Sequence, residues 1–432
     1  MKKSSKRVAA IASALVIGLC LTACSSGGGT PTSTKPANIS FWGWAPGYAA
    51  AVKSFNASQS KIHVTYQEVT PGAKGGYTKM LTAVKANNAP CLAQVGYETL
   101  PSFAAQGALQ DVSKYADADK NEFQPAAWKS VSVGSNVYGA PVDTGPMVMF
   151  YNKSDFTSLG LPAPTTWAEY EADAVKIHAA DPQKYISSPY LDYDYAGLAW
   201  QKDASWFGVK GDAWQVNLTS KSNLEVANYW QGLIDKKLIS SAPMYDQSWY
   251  TGLGNGDIAT VVGAVWQAGV ISGGAANGSG KWAVAPMPQW SSGQTAVGNA
   301  GGSATAVLKG CSSPSAAWDF ANYMSTNRSV FGNLVTTAGL YPAAKSLSNL
   351  PELTKGDTYF GGQKIYQVVA NAAPQVQTGW TWGPTMTQTA ADLDDALGKA
   401  WSGQGETISS ALSSTQTKTI AALKSQGLSV VK

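Results

Sequence analysis

ISFWGWAPGYAAAVKSFNASQSKIHVTYQEVTPGAKGGYTKMLTAVKANNAPCLAQVGY, residues 39–97, alternates predicted strands with predicted helices. The hydrophobic periods predict strand, helix, strand, helix and strand in turn, over residues 39–42, 48–58, 61–69, 77–88 and 92–97. This alternation predicts parallel strands joined by right-handed crossovers. Ligands bind such sheets beyond the carboxyl ends of the strands, so we expect a site at residues 42–46 and 97–100.

The rest of the chain continues the α/β pattern. Further strands are predicted at residues 147–151, 258–262 and 303–308, the second of them after a turn at residues 252–257. Further helices are predicted at residues 166–179, 223–238, 386–401 and 406–424, the first of them capped by Thr165 or Thr166. No fixed period recurs, which disfavours a solenoid or a propeller. The pattern therefore predicts two α/β bodies.

Composition favours an uncharged ligand. Only 13% of the 432 residues are charged, against about 25% in ordinary soluble domains. The net charge of +4 equals the contribution of Lys2, Lys3, Lys6 and Arg7, so the remainder of the chain is formally neutral. A neutral body lacks the positive field that attracts phosphates, which excludes nucleic acid as a principal partner.

The first 23 residues have the form of an export signal. Their positive charges precede an apolar run at residues 8–19, which is short for a membrane span of about 20 residues. Residues 21–24, LTAC, resemble the bacterial lipobox, whose cysteine receives a diacylglyceryl group before cleavage. We therefore expect residues 1–23 to be removed, Cys24 to carry the lipid and residues 24–37 to form a flexible tether on the extracytoplasmic face of the cell membrane. The alternative is ordinary secretion with cleavage elsewhere.

The two remaining cysteines of the exported body are Cys91 and Cys311. An exported protein works in an oxidising compartment, where thiols can pair. We predict a disulfide between them. The alternative is two separate buried thiols.

Signatures of catalysis and of cofactor binding are absent from the sequence. It contains no phosphate-binding loop, dinucleotide fingerprint or zinc-binding HExxH motif, and His63 and His178 are its two histidines. We expect structural roles for both histidines, no catalytic residue, no metal and no cofactor. A glycosidase needs only two carboxylates, for which Glu98 and Asp143 are the first candidates, but nothing around them resembles a catalytic signature.

Six segments together resemble the solute-binding proteins of bacterial ABC importers, specifically the large carbohydrate-binding family that includes maltose-binding protein. In chain order they are residues 39–44 (ISFWGW), 93–109 (AQVGYETLPSFAAQGAL), 137–151 (VYGAPVDTGPMVMFY), 164–170 (PTTWAEY), 281–288 (KWAVAPMP) and 301–318 (GGSATAVLKGCSSPSAAW). Cys91 departs from the family, in which aspartate is common at this position. The family topology places the strand after Cys91 antiparallel to the strand at residues 303–308, which brings Cys91 near Cys311.

The resemblance implies a two-lobed, type II periplasmic-binding-protein-like α/β fold with the ligand in the cleft between the lobes. It assigns the N-lobe to residues 38–143 plus 296–343, and the C-lobe to residues 144–295 plus 344–432. The chain would cross between lobes at residues 141–146, 287–302 and 341–346. Closure about these crossings would bury the ligand, and the permease subunits of the importer would recognise the closed, loaded monomer.

Candidate ligand residues follow from the chemistry of a pyranose, which has apolar C–H faces and a rim of hydroxyls. Aromatic rings suit the faces, and fixed donors and acceptors suit the rim. In the N-lobe, Trp44 rather than Trp42 is our choice of ring, and Glu98 stands where relatives present an acidic sugar ligand. Asp143, in a predicted crossing, either binds ligand or fixes the hinge by accepting backbone N–H bonds.

The C-lobe candidates are four aromatic residues. Trp266 follows a predicted buried strand and opens a helix, while Tyr193 is a weaker candidate. Trp380 and Trp382 alternate before the late helix, so we expect one to face the cleft, with Trp382 as our choice. Other tryptophans have helical or capping settings, which favours core packing; they include Trp128, Trp167, Trp230 and Trp318.

These observations favour a binding component that captures a neutral sugar or oligosaccharide for an importer. One alternative is a binding protein for another solute, such as a polyol, glycerol phosphate or a peptide. The other is a secreted glycosidase. A phosphorylated ligand would favour cationic side chains at the strand ends, where Lys74 and Lys79 are the nearest.

Overall fold

The computed structural model describes residues 36–431 of the chain. The predicted signal, Cys24 and nearly all of the predicted tether lie outside the described residues. The strands are Ala37–Gly43 (β1), Ile62–Glu68 (β2), Leu92–Gly96 (β3), Ser132–Val133 (β4), Asn136–Val137 (β5), Gly139–Pro141 (β6), Asp143–Thr144 (β7), Met147–Asn152 (β8), Phe207–Lys210 (β9), Ala213–Val216 (β10), Thr260–Ala264 (β11), Trp282–Pro286 (β12), Ser303–Val307 (β13), Tyr341–Pro342 (β14) and Val430–Val431 (β15).

The α-helices vary from one turn to five turns in length. They are Tyr48–Ser58 (α1), Gly76–Lys85 (α2), Leu100–Ala105 (α3), Ser113–Ala116 (α4), Pro125–Ser130 (α5), Lys153–Ser158 (α6), Trp167–Ala180 (α7), Asp192–Gln201 (α8), Lys221–Asp235 (α9), Gln247–Asn255 (α10), Gln267–Gly274 (α11), Pro314–Thr326 (α12), Arg328–Ala338 (α13), Ile365–Ala372 (α14), Met386–Trp401 (α15) and Ile408–Ser425 (α16). None of these described helices is both long enough and apolar enough to span a bilayer.

The larger sheet contains the strands of the opening βαβαβ unit. Its order is β2-β1-β3-β13-β6, and β1 pairs in parallel with both β2 and β3, as predicted. Strand β13 runs antiparallel to β3 and to β6. Every residue of β3 and β13 is buried, which is typical of central strands covered on both faces.

A second sheet contains β11, β8 and β12, all antiparallel. The predicted strand at residues 258–262 is displaced to Thr260–Ala264, and the predicted turn at residues 252–257 is largely wrong. Residues 252–255 form the last turn of α10, which ends at Gly256 with φ 89°. A glycine in the left-handed conformation commonly terminates a helix. The turn after α10 is therefore shorter than the predicted turn at residues 252–257.

Three segments connect the two sheets. The chain passes from β6 to β8 through β7, from β12 to β13, and from α13 towards α14, which packs on the second sheet, through β14. These segments bind one another, because β7 pairs with β14 and Pro146 forms a bridge with Asn299. The segments that connect the two sheets are therefore joined to one another by backbone pairing.

Cys91 and Cys311 form a disulfide, which confirms that prediction. Their Cα atoms are 4.5 Å apart. Cys91 immediately precedes β3, and Cys311 follows the end of β13, whose Val307 lies opposite Leu92 in the antiparallel register. The bond therefore links the two central strands of the larger sheet at one end.

Helix ends follow local sequence signals. Thr166 caps α7 and forms a capping box with Glu169, so the second of the two predicted caps is the one used. Helices α1 and α15 have the predicted bounds.

A small third sheet pairs the C-terminal strand β15 with β10 of the β9–β10 hairpin.

Candidate ligand-binding cleft

Five of the predicted ligand residues line one cavity of about 300 Å³, here called the first cavity. It is bounded by the loops after β1 and β3 on one side, by the start of α8 and α11 on the other, and by the crossing segments. The five residues are Trp44, Glu98, Asp143, Tyr193 and Trp266. The structure thus brings together residues that are up to 222 positions apart in the sequence (266 − 44 = 222).

Trp44 is held at the cavity by a side chain that sequence reasoning missed. The Oε1 atom of buried Gln94 accepts hydrogen bonds from the backbone N–H groups of Trp44 (3.0 Å) and Ala45 (3.2 Å). These bonds fix the loop after β1. Trp42 lies outside the cavity, with the Lys79 ammonium 4.8 Å from its ring centre.

Glu98 is oriented by Tyr77, which also lines the first cavity. The Tyr77 hydroxyl donates to Glu98 Oε1 at 2.9 Å and accepts from the Gly96 N–H at 2.9 Å. Burial raises the pKa of Glu98 above its usual range. The ring of Tyr77 also meets Trp44 edge to face, with centroids 5.9 Å apart, so one tyrosine positions both a carboxylate and an indole.

Asp143 joins the crossing segments. Its Oδ1 atom accepts from the backbone N–H (3.0 Å) and the hydroxyl (2.8 Å) of Ser303, and its backbone oxygen accepts from the Tyr97 hydroxyl at 2.9 Å. Burial raises the pKa of Asp143 to about 6, and the charge of Glu98 adds to this effect. The observed bonds match the hinge role that the sequence left open, while ligand contact stays a prediction.

We expect Asp143→Asn to flatten the pH dependence of stability. Because the pKa of Asp143 is raised from 3.8 to about 6, the folded state binds its proton more tightly than the unfolded state does. The free energy of unfolding should therefore fall as pH rises through this window, by up to about 3 kcal/mol from this one group. The amide oxygen of the substituted side chain can still accept from Ser303, so the hinge bonds remain.

Urea unfolding of the parent and the variant between pH 4 and pH 8 measures this difference. Asp212→Asn is the matched control, because Asp212 is exposed in a hairpin loop. If the parent and Asp143→Asn curves run parallel over the whole range, Asp143 does not hold a tighter proton in the folded state.

Trp266 and Tyr193 form the wall of the first cavity on the side of the second sheet. Trp266 is the residue just before α11, and its Nε1–H donates to the backbone oxygen of Ala300 at 3.0 Å. The ring centroids of Trp266 and Tyr193 are 6.2 Å apart. Both rings are half-buried, so each keeps surface available to a ligand.

A polar network that the sequence did not indicate supports this wall. Tyr245 stacks on Trp266 with ring centroids 6.4 Å apart, and its hydroxyl donates to Asp194 Oδ2 at 3.1 Å. Gln267 Nε2 donates to Asp194 Oδ1 at 3.0 Å. Burial raises the pKa of Asp194 to about 8. These residues hold the aromatic wall in place from behind.

Trp380 and Trp382 are not brought to the first cavity. They line a neighbouring cavity of about 580 Å³, here called the second cavity. Trp380 is 5% exposed and stacks on Trp200 with centroids 5.0 Å apart and an interplanar angle of 7°, whereas Trp382 is half-buried. The ring with more free surface is therefore Trp382.

The first cavity offers apolar surfaces and hydrogen-bond acceptors without cations. Among the described residues, its lining includes the carboxylates of Glu98 and Asp143 and no lysine or arginine. Within residues 36–431, no group of three His, Cys, Asp or Glu side chains is arranged to hold a metal ion. The arrangement can therefore hold an uncharged molecule that has flat apolar faces and donates hydrogen bonds.

Residues 43–330 match the family described as bacterial extracellular solute-binding protein. This match covers more than half of the chain, and the chain belongs to this family. Its fold is that of the type II periplasmic binding proteins.

Two solved structures show the likeness over nearly the whole chain. One is the galacto-N-biose/lacto-N-biose I-binding protein of an ABC transporter from Bifidobacterium longum, in complex with lacto-N-biose. It is 33% identical with a TM-score of 0.83, and the match covers 93% of this chain and all of that chain. The other is an ABC transporter associated binding protein from B. animalis subsp. lactis in complex with β-1,6-galactobiose. It is 30% identical with a TM-score of 0.82, and the match covers 92% of this chain and all of that one.

Two characterised relatives are more distant. The lactose-binding protein of Rhizobium radiobacter is 24% identical, over 87% of this chain and 88% of the relative. The maltooligosaccharide ABC transporter solute-binding lipoprotein of Streptococcus pneumoniae is also 24% identical, over 74% of this chain and 77% of the relative.

Proposed function

We propose that this protein captures a neutral sugar or oligosaccharide and delivers it to the permease of an ABC importer. One observation carries the proposal: the first cavity combines aromatic walls, Trp44, Tyr193 and Trp266, with carboxylate acceptors and no cation. Aromatic rings pack against the C–H faces of a pyranose, while carboxylates accept from its hydroxyls. The sugars named for the relatives support this ligand class.

The cleft requires opening for entry and closure for delivery. The proposed lobes are residues 38–143 plus 296–343 and residues 144–295 plus 344–432, connected by the three crossing segments. A ligand that contacts both lobes binds the closed form more tightly than the open form, and this difference in affinity drives closure. Glu98 on one side of the first cavity and Trp266 on the other provide such contacts.

Thermal unfolding with a panel of sugars tests the proposal. A ligand that binds only the folded state stabilises it by about 2.7 kcal/mol at 100 times its dissociation constant. We expect a shift with at least one neutral saccharide in a panel that includes β-1,6-galactobiose, lacto-N-biose, lactose and maltotriose. The matched negative controls are glycerol 3-phosphate and digalacturonate, whose charges find no cation in the first cavity. Stabilisation by the anions alone would refute the proposal.

We also propose that binding leaves the sugar chemically unchanged. The family comprises substrate-binding proteins, and Asp143 Oδ1 is already engaged by Ser303. Overnight incubation with the best ligand of the panel, followed by chromatography, should return it intact. Hydrolysis that disappears in Glu98→Gln would instead establish a glycosidase.

The third proposal concerns location: the protein is anchored through lipidated Cys24 and acts as a monomer. The order of charge, apolar run and LTAC motif supports it, and one relative is named a lipoprotein. In a bacterial host grown with a labelled fatty acid, the parent protein should become labelled and Cys24→Ala should not. A parent protein that takes up no label would rule out the anchor.

A further inference from the structure

The second cavity contains two of the predicted ligand residues, Trp380 and Trp382, but the proposed function gives the cavity no role. Three half-buried indoles, Trp200, Trp214 and Trp382, form one wall. Helix α5 and the turn at Gly134 form part of the opposite wall. We propose that this cavity binds the outer units of an oligosaccharide of three or more sugars, whose first units occupy the first cavity. The inference rests on the proposed function and adds ligand length to it.

The two cavities lie side by side. Three short stretches of the chain, residues 96–98, 143–144 and 299–301, contribute lining residues to both. Tyr97 faces the second cavity, while its neighbours Gly96 and Glu98 face the first. In the same way, Thr144 and Asn299 line the second cavity, and Asp143 and Gly301 line the first. The two cavities therefore adjoin at Tyr97, which is where the proposed saccharide would extend from the first cavity to the second.

The side chain of Tyr97, which lies at the boundary between the two cavities, is fixed in position. Its hydroxyl bonds to the backbone oxygen of Asp143, and its ring packs on Gly302. Gly302 has φ 93°, and a Cβ atom there would lie 2.6 Å from the Tyr97 ring. Only glycine allows this packing.

Size also argues for occupation of both cavities. At about 300 Å³, the first cavity is at the lower end of the usual range for ligand sites, and the second is larger at about 580 Å³. The first cavity alone suits the end of a saccharide chain rather than a long one.

The indole wall is rigid, which suits stacking. Trp200 donates its Nε1–H to the backbone oxygen of Gln377 and lies flat on Trp380. Trp382 meets Trp200 edge to face, with centroids 6.1 Å apart. Rings that are already immobilised lose little freedom when a ligand binds.

Trp214 depends on the C-terminus for its position. It lies in β10, and its backbone N–H donates to the oxygen of Ser429 at 2.9 Å, just before Val430 pairs with it. Phe207 of the same hairpin meets its ring edge to face at 6.4 Å. The polar groups Thr144, Asn299 and Thr381 also line the cavity, which favours hydroxylated units over a purely apolar occupant.

Calorimetric titration with a disaccharide and its tetrasaccharide homologue tests the inference. β-1,6-Galactobiose and β-1,6-galactotetraose are the first pair, replaced by another neutral series if the panel favours one. The parent should bind the tetrasaccharide more tightly than the disaccharide. Trp214→Ala should weaken tetrasaccharide binding about tenfold and leave disaccharide affinity unchanged, in line with the loss of one stacking ring.

A second variant approaches the cavity from the opposite wall. Ala126 is an exposed residue of α5 that lines the second cavity, so Ala126→Trp obstructs it without disturbing a packed core. It should also weaken only the tetrasaccharide. Trp42→Ala, outside both cavities, is the control and should change neither affinity.

The outcomes separate the two proposals. If the parent binds both saccharides equally, or if both variants leave tetrasaccharide binding unchanged, the second cavity is not a sugar subsite, while the proposed function stands. If Ala126→Trp weakens both saccharides equally, the cavities do not divide the ligand as proposed. If no saccharide of any series binds the parent, the proposed function fails as well.

Discussion

Trp266→Ala should weaken sugar binding by about 10- to 100-fold, equivalent to roughly 1 to 3 kcal/mol. Trp266 is half-buried and lies beside Tyr193 in the wall of the first cavity. Its truncation removes the apolar face on which a pyranose stacks and admits water to the carboxylate acceptors. Titration calorimetry with the best disaccharide of the panel measures the loss.

Two variants separate stacking from structural damage. Trp266→Phe retains a flat ring but loses the Nε1–H bond to Ala300, so it should retain most of the affinity if stacking dominates. Trp42→Ala removes an equally half-buried indole outside the cavity and should have no effect on binding. Full affinity in Trp266→Ala would contradict the assignment of this wall to the ligand.

Replacing both Cys91 and Cys311 with serine should lower the free energy of unfolding by about 5 kcal/mol. The bond closes a loop with a sequence separation of 220 residues, and in the chain-entropy model a loop of this length restricts the unfolded state strongly. Guanidinium unfolding of the sugar-free protein measures the change. Sugar affinity should persist under native conditions, because neither cysteine lines the first cavity.

A reducing agent provides the matched control. It should lower the free energy of unfolding of the parent to about that of the double variant, and it should leave the double variant unchanged. An equal midpoint for the parent with and without reductant, together with two alkylatable thiols in the denatured protein, would show that the bond is absent in solution.

Local patterns predicted the elements that position the first cavity. The periodicity of residues 39–97 identified the parallel strands whose carboxyl ends carry Trp44 and Glu98, and α1 has the predicted bounds. Trp266 was recognisable because it follows a buried strand and precedes a helix. These signals lie within a few residues of the side chains concerned, which is why they were readable in sequence.

The rest of the cleft depends on contacts between distant segments. Tyr77 and Gln94 belong to an ordinary helix and a buried strand, and their roles follow from hydroxyl and amide orientations that no periodicity encodes. The separation of Trp382 from the first cavity likewise depends on where residues 376–382 lie against α5. The glycines at residues 252–256 predicted a longer turn than the structure has. Glycine is used both where a helix packs closely and where the chain reverses, so its presence alone does not distinguish the two.

The C-terminal strand has a practical consequence. Val430 pairs with Trp214 and Val431 with Gln215, so this strand completes a three-stranded sheet whose middle strand carries an indole of the second cavity. A deletion that removes residues 429–431 frees one edge of β10, so such variants are unsuitable for measuring the contribution of Trp214 to binding.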